Sequence, residues 1–162
     1  MNLKGKTPRE LFGLYGEILG ELRGRSIIRS TNNPIADYAE LLIENTLGLT
    51  RTSKSTKGHD ATSDDGTKYE VKARRITSHN SSRQLSALRK LDEGHFDHLA
   101  GILFREDFSV WKGCLIPHDV VLAHSTYRDH TNAWIFQLTD DVWKYPRVVD
   151  VTRELLETEK NI

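Results

Sequence analysis

Gly58-His59-Asp60-Ala61-Thr62-Ser63-Asp64-Asp65-Gly66-Thr67-Lys68-Tyr69-Glu70-Val71-Lys72 is the stretch on which the reading of this chain turns. Two short strand-like runs flank Asp64-Asp65-Gly66, the pattern of a β-hairpin. The length of the turn decides the chemistry. A three-residue loop, with Gly66 in the left-handed conformation, pairs Ser63 with Thr67. Asp60 then falls opposite Glu70, and both project to one face. A two-residue loop pairs Asp60 with Val71 and sends the acids to opposite faces, because a slip of one residue inverts the pattern. Lys72, two residues after Glu70, shares its face. Tyr69, Val71 and Ala73 make the other face apolar, so that face packs on a core. Two acids and a lysine on one face can hold a hard divalent cation and a phosphate-bound water. The alternative is a solvated charge ladder of Lys68, Glu70 and Lys72. Acids placed opposite each other repel unless a cation lies between them, which favours the metal site.

At 162 residues and 37% hydrophobic content the chain suits one domain, residues 1–162, with its own core. Its 23 basic residues balance 23 acidic ones, which argues against bulk binding of polyanions. The balance is not local. Residues 51–90 carry ten Lys and Arg (Arg51, Lys54, Lys57, Lys68, Lys72, Arg74, Arg75, Arg83, Arg89, Lys90) against four acids, a net +6 that the rest of the chain offsets. Basic residues around a carboxylate site point to a negatively charged substrate. A single cysteine, Cys114, excludes an internal disulfide and suits a reducing compartment. No secretory signal, transit peptide or long apolar run is present, so a soluble cytoplasmic protein without a membrane partner is expected. There is no glycine-rich loop of the Walker or dinucleotide type. His95-x-x-His98 with Cys114-x-x-x-His118 has the donor count of a zinc site. A buried cysteine and surface histidines explain those four residues better.

Outside the hairpin, Thr7-Pro8 with Glu10 forms a capping box. Leu11, Leu14, Tyr15, Ile18, Leu19 and Leu22 follow at helical spacing. That stripe packs on the core or, alternatively, forms a dimer interface. A second helix runs from Asn33-Pro34 to Gly48, capped by Asn33. Asp37, Glu40 and Glu44 share one side of it, and Glu40 is the candidate to reach the hairpin. Residues 74–84 form a polar loop whose Arg74, Arg75, His79, Asn80, Arg83 and Gln84 are of the types that bind phosphates and read base edges. Leu85, Leu88 and Leu91 mark a further helix. Strands are expected at 98–104 and 108–116, a short helix from Pro117 to Ala123, a polar loop at 124–130, a strand at 133–139 and a last helix at 149–159. The order is α-α-β-β-α-β-β-α-β-α, a mixed α/β layer fold.

Leu47-Gly48-Leu49-Thr50 leading to Gly58-His59-Asp60, an Asp-Gly turn and Tyr69-Glu70-Val71-Lys72 together resemble the core of the PD-(D/E)xK nucleases, most closely the small type II restriction endonucleases. The likeness covers residues 34–104, and His59 replaces the family's usual proline. It implies a restriction-endonuclease-like mixed β-sheet flanked by α-helices. It implies that Asp60, Glu70 and the Val71 carbonyl bind Mg²⁺, with Glu40 as a further catalytic or metal carboxylate. Lys72 would orient the attacking water and offset charge in the transition state. The products would carry 5′-phosphate and 3′-hydroxyl ends. A protomer with one such site would cut both strands of double-stranded DNA as a homodimer on a palindromic sequence. A structure-selective resolvase or repair nuclease would share the metal site, and a DNA-binding module of the same fold would have lost its chemistry.

Overall fold

Residues 2–30, 33–53 and 58–162 are described by the computed structural model; Lys54 and Lys57 of the basic segment lie outside them. Among the described residues four α-helices, α1 (Pro8–Gly24), α2 (Ile35–Leu47), α3 (His118–Ala123) and α4 (Thr152–Glu159), accompany eight strands. The strands are β1 (Thr50–Arg51), β2 (Ala61–Thr62), β3 (Lys68–Arg75), β4 (His98–Phe104), β5 (Val110–Pro117), β6 (Thr126–Arg128), β7 (Ala133–Ile135) and β8 (Val149–Asp150). Six form one mixed sheet in the order β1-β2-β3-β4-β5-β8, and β6 and β7 pair separately. All neighbours in the large sheet are antiparallel except β3 and β4. The architecture is α/β, with helices flanking a mostly antiparallel sheet.

The sheet has a core on each face, as its alternating residues require. Val71, Ala100, Ile102 and Phe104 pack with Ala39, Leu42 and Ile43 of α2 and Leu155 of α4. Leu99, Leu103, Cys114 and Ile116 pack on the other side with Leu85, Leu88, Leu91, Phe96, Val121, Phe136 and Leu138. Phe104, Ile102, Leu99 and Leu103 are fully buried, so β4 is the centre of the molecule.

Several elements differ from the sequence expectation. No helix forms over Leu85–Leu91. The segment runs extended beside β7: the Leu85 N–H bonds the Phe136 carbonyl at 3.1 Å, and Leu88 and Trp134 exchange bonds of 2.9 and 2.8 Å. Leucines three apart bury equally well from this conformation, and the sheet partner takes the backbone groups a helix would have used. Lys90 is left-handed, which stops the run before a short 3₁₀ turn at Leu91–Glu93. The 124–130 loop is partly the β6 strand. The strand expected at 133–139 ends at Ile135, and that expected at 108–116 starts at Val110 after a turn with Phe108 at φ +69°. The last helix is preceded by β8.

The capping box of α1 is present: the Thr7 N–H bonds Glu10 at 2.7 Å and the Glu10 N–H bonds the Thr7 hydroxyl at 3.3 Å. Its apolar stripe is not core, however. Leu19 alone is buried, while Phe12 is 77% and Ile18 49% exposed. At α2 the cap position belongs to Pro34, although the Asn33 side-chain oxygen still accepts the Ile35 N–H at 3.1 Å. Among the described residues no helix is long and apolar enough to cross a membrane.

Candidate active site

The hairpin takes the three-residue loop. Thr62 pairs with Lys68 and Ala61 with Tyr69, the Ser63 N–H bonds the Thr67 carbonyl at 3.0 Å, and Gly66 has φ +89°. Asp65 locks the turn by accepting the Ser63 hydroxyl at 2.5 Å and the Thr67 N–H at 3.0 Å. Those bonds hold its carboxyl down to about 2.

Continuing that register sets Asp60 against Glu70, and Asp60 straddles it. The Asp60 N–H bonds the Tyr69 carbonyl at 2.8 Å, and Asp60 Oδ2 accepts the Val71 N–H at 2.7 Å. Among the described residues no strand covers this edge of β3 past Tyr69, so the Asp60 carboxylate supplies the acceptor that a neighbouring strand would have offered. Glu70 lies on the face away from α2 and is ion-paired with Lys72; both side chains are largely buried.

Glu40 reaches Asp60 from α2, in a cavity that Glu70 and Lys72 do not line. It pairs with Arg29 and lines a cavity of about 300 Å³ with Asp60, His59 and Thr52. Its neighbour Asp37 is structural: Asp37 Oδ2 accepts the N–H groups of Arg29 and Ser30, each at 2.8 Å, and so holds the turn that presents Arg29. Glu44 pairs with Arg51. Glu70 and Lys72 line a second cavity, about 230 Å³, with Gly58, Arg89 and His95. The two cavities share no lining residue: Gly58 lines the second, and His59 and Asp60 line the first.

The electrostatics tie the four groups together. Burial raises the Glu40 carboxyl, and Asp60 and Asp37 add to the rise against Arg29 and Arg51. Burial likewise raises Glu70, more than the Lys72 cation lowers it, and Asp60 contributes. Burial would depress Lys72, but Glu70, Asp60 and Glu40 together hold its ammonium above the usual lysine range. Asp60 thus bears on Glu40, Glu70 and Lys72 alike, while Arg29 and Arg51 serve Glu40 and Lys72 serves Glu70. Burial, aided by Lys68, lowers His59. Among the described residues no three His, Cys, Asp or Glu side chains stand together as a metal-ligand cluster, since Glu70 is turned to Lys72 and Glu40 to Arg29.

The 74–84 residues separate. Arg74 Nε donates to the Ser82 carbonyl at 3.2 Å, and the Arg75 guanidinium lies 4.2 Å over the Phe108 ring. Arg83 is held by Asp140 at 2.9 Å and lies over Trp111. His79 and Asn80 are exposed at the tip, where Asn80 Oδ1 accepts the Ser82 N–H at 3.1 Å. Gln84 meets Gln137. The zinc alternative dissolves: Cys114 is buried in β5, His118 Nε2 bonds the Leu91 carbonyl at 2.6 Å and His95 meets Glu93. Arg29 was not legible as a site residue, because nothing in its sequence surroundings links it to Glu40.

No protein-family model and no curated protein matches this chain.

Proposed function

We propose that this chain is a Mg²⁺-dependent endonuclease that hydrolyses DNA phosphodiester bonds, a sequence-specific type II restriction endonuclease of restriction-endonuclease-like fold acting on double-stranded DNA as a homodimer. The observation that carries the reading is the placement of Asp60, bonded to the Val71 N–H beside Glu70 and Lys72 and lining a cavity with Glu40. Carboxylate and carbonyl oxygens suit a hard cation. Glu70 is met by Lys72 and Glu40 by Arg29, and a cation between the acids relieves the repulsion that remains.

Asp60, Glu70 and the Val71 carbonyl would hold Mg²⁺, with Glu40 as the additional carboxylate. The ion, when bound, supplies Lewis acidity and lowers the pKa of water. The chain's residues do the rest. Asp60 is oriented by the Val71 N–H, so its other carboxylate oxygen has one direction to face. Glu70, Asp60 and Glu40 hold Lys72 above the usual lysine range, so its ammonium would act as a fixed charge for the negative charge developing on the phosphoryl oxygens and not as a base. Arg29 holds Glu40 until a cation competes for it.

The test is a Mg²⁺ digest of a plasmid of known sequence with end mapping. Discrete fragments that end in one palindromic sequence are expected, and the Asp60→Ala protein should yield none. Cutting confined to branched DNA would assign a structure-selective nuclease instead. Binding without any cutting by the wild type would leave a DNA-binding module.

A further inference from the structure

We propose that Arg89, Lys90 and His95 form a seat for one sugar–phosphate unit of the DNA strand, beside the Glu70–Lys72 pair. The inference rests on the nuclease reading and adds a substrate subsite to it. The 230 Å³ cavity that holds Glu70 and Lys72 has Ala87, Leu88 and Phe96 as its apolar lining and Arg89, Lys90 and His95 as its cationic and imidazole rim. That volume is below the ~300–1,000 Å³ of pockets enclosing whole small molecules. It suits a backbone unit, with deoxyribose against the apolar lining and phosphate at the rim.

The rim is built. Leu88 is fixed to Trp134 by bonds in both directions, which anchors Arg89 beside it. Lys90 at φ +55° and Gly94 at φ +66° turn the chain so that Lys90 and His95 return to one cavity. Gly58 lets the hairpin close on this turn: a Cβ there would lie 2.6 Å from the His95 Cβ. Glu93 joins the two tips, at 2.9 Å from Lys90 and 2.8 Å from His95. Arg89 makes no ion pair among the described residues and is exposed at the rim, a guanidinium available to an anion. A phosphate suits that fork through paired N–H groups.

Fluorescence anisotropy of a labelled duplex over a salt series, with Ca²⁺ in place of Mg²⁺, tests the seat. The Arg89→Ala, Lys90→Ala double variant should bind every duplex about tenfold more weakly. The slope of log affinity against log salt should flatten by about one for each phosphate that is no longer neutralised. Arg89→Lys should recover part of the slope, and Lys160→Ala, outside the cavity, should change nothing. An unchanged slope in the double variant overturns the seat. A wild type that binds but never cuts with Mg²⁺ overturns the nuclease reading while the slope still decides the seat. A wild type that binds no duplex overturns both.

Discussion

Glu70 and Lys72 show how one residue's role depends on what it is left with. Glu70→Ala would strand the Lys72 ammonium, 19% exposed, against a cavity wall with its closest acid gone. The protein should lose about 1–3 kcal/mol, beyond any loss of activity. Repulsion between acids is therefore not the only force at this position. Lys72→Ala keeps the acids and removes the fixed cation. Its cleavage rate should fall about 10²–10³-fold with DNA affinity little changed; single-turnover kinetics separate the two quantities. The raised carboxyls also set a pH signature. A carboxyl whose folded pKa exceeds its ordinary value of 4.5 stabilises the fold below that value, and the stabilisation is lost as pH rises through the folded pKa. Between acid and neutrality the wild type should lose melting temperature relative to Glu70→Gln, and Mg²⁺ at neutral pH should restore it in the wild type only. Parallel stability curves for the two proteins would sink the assignment.

At the scale of elements, the β2–β3 hairpin is positioned by two left-handed glycines of different kinds. Gly66 sits in the turn, where an added Cβ would have nothing within 4 Å, while Gly58 would drive a Cβ into His95 at 2.6 Å. Both substitutions to Ala carry the left-handed penalty of about 1–2 kcal/mol. Only Gly58→Ala must also push the hairpin off the 90–95 turn. Thermal denaturation should therefore show the larger loss for Gly58→Ala, with cleavage falling in step, while Gly66→Ala retains activity. Equal losses would mean that the Gly58–His95 contact is not what aligns the two cavities. The extended 85–91 segment follows the same logic. Its leucines fill the core, and its backbone is committed to β7, so its polar residues are delivered to the cavity rim.

For the whole molecule, the exposed stripe of α1 is the surface that the described residues leave uncovered. Tyr15 and Ile18 stand exposed at a groove of about 640 Å³ that Tyr38, Phe108 and Ile162 also line. Under the nuclease reading, a second copy packing there would be the homodimer that cutting two strands requires. Ile18→Glu, at a position 49% exposed in the groove, should leave the fold intact. By light scattering it should convert a dimer to a monomer, and its product should shift from double-strand cuts to nicks. A wild type already monomeric at assay concentration would defeat this interface.

The sequence determined what local chemistry controls. The Asp-Asp-Gly turn, the capping box of α1, the glycine stop of α2 and the alternation along β3 were all readable, because each is a contest among neighbours in the chain. It left open which turn length the hairpin adopts, and that choice rests on Asp65 bonding Ser63 and Thr67. Only the tertiary structure decided the rest. Leu85, Leu88 and Leu91 have one spacing for a helix and for an extended run, and β7 selects the run by taking their backbone bonds. The α1 stripe has one pattern for core and for interface, and among the described residues only its Leu19 is buried. Arg29 meets Glu40 across a gap in sequence that no periodicity spans. The physical reason is common to all three: burial and charge depend on what arrives from elsewhere, and spacing along a chain does not carry that information.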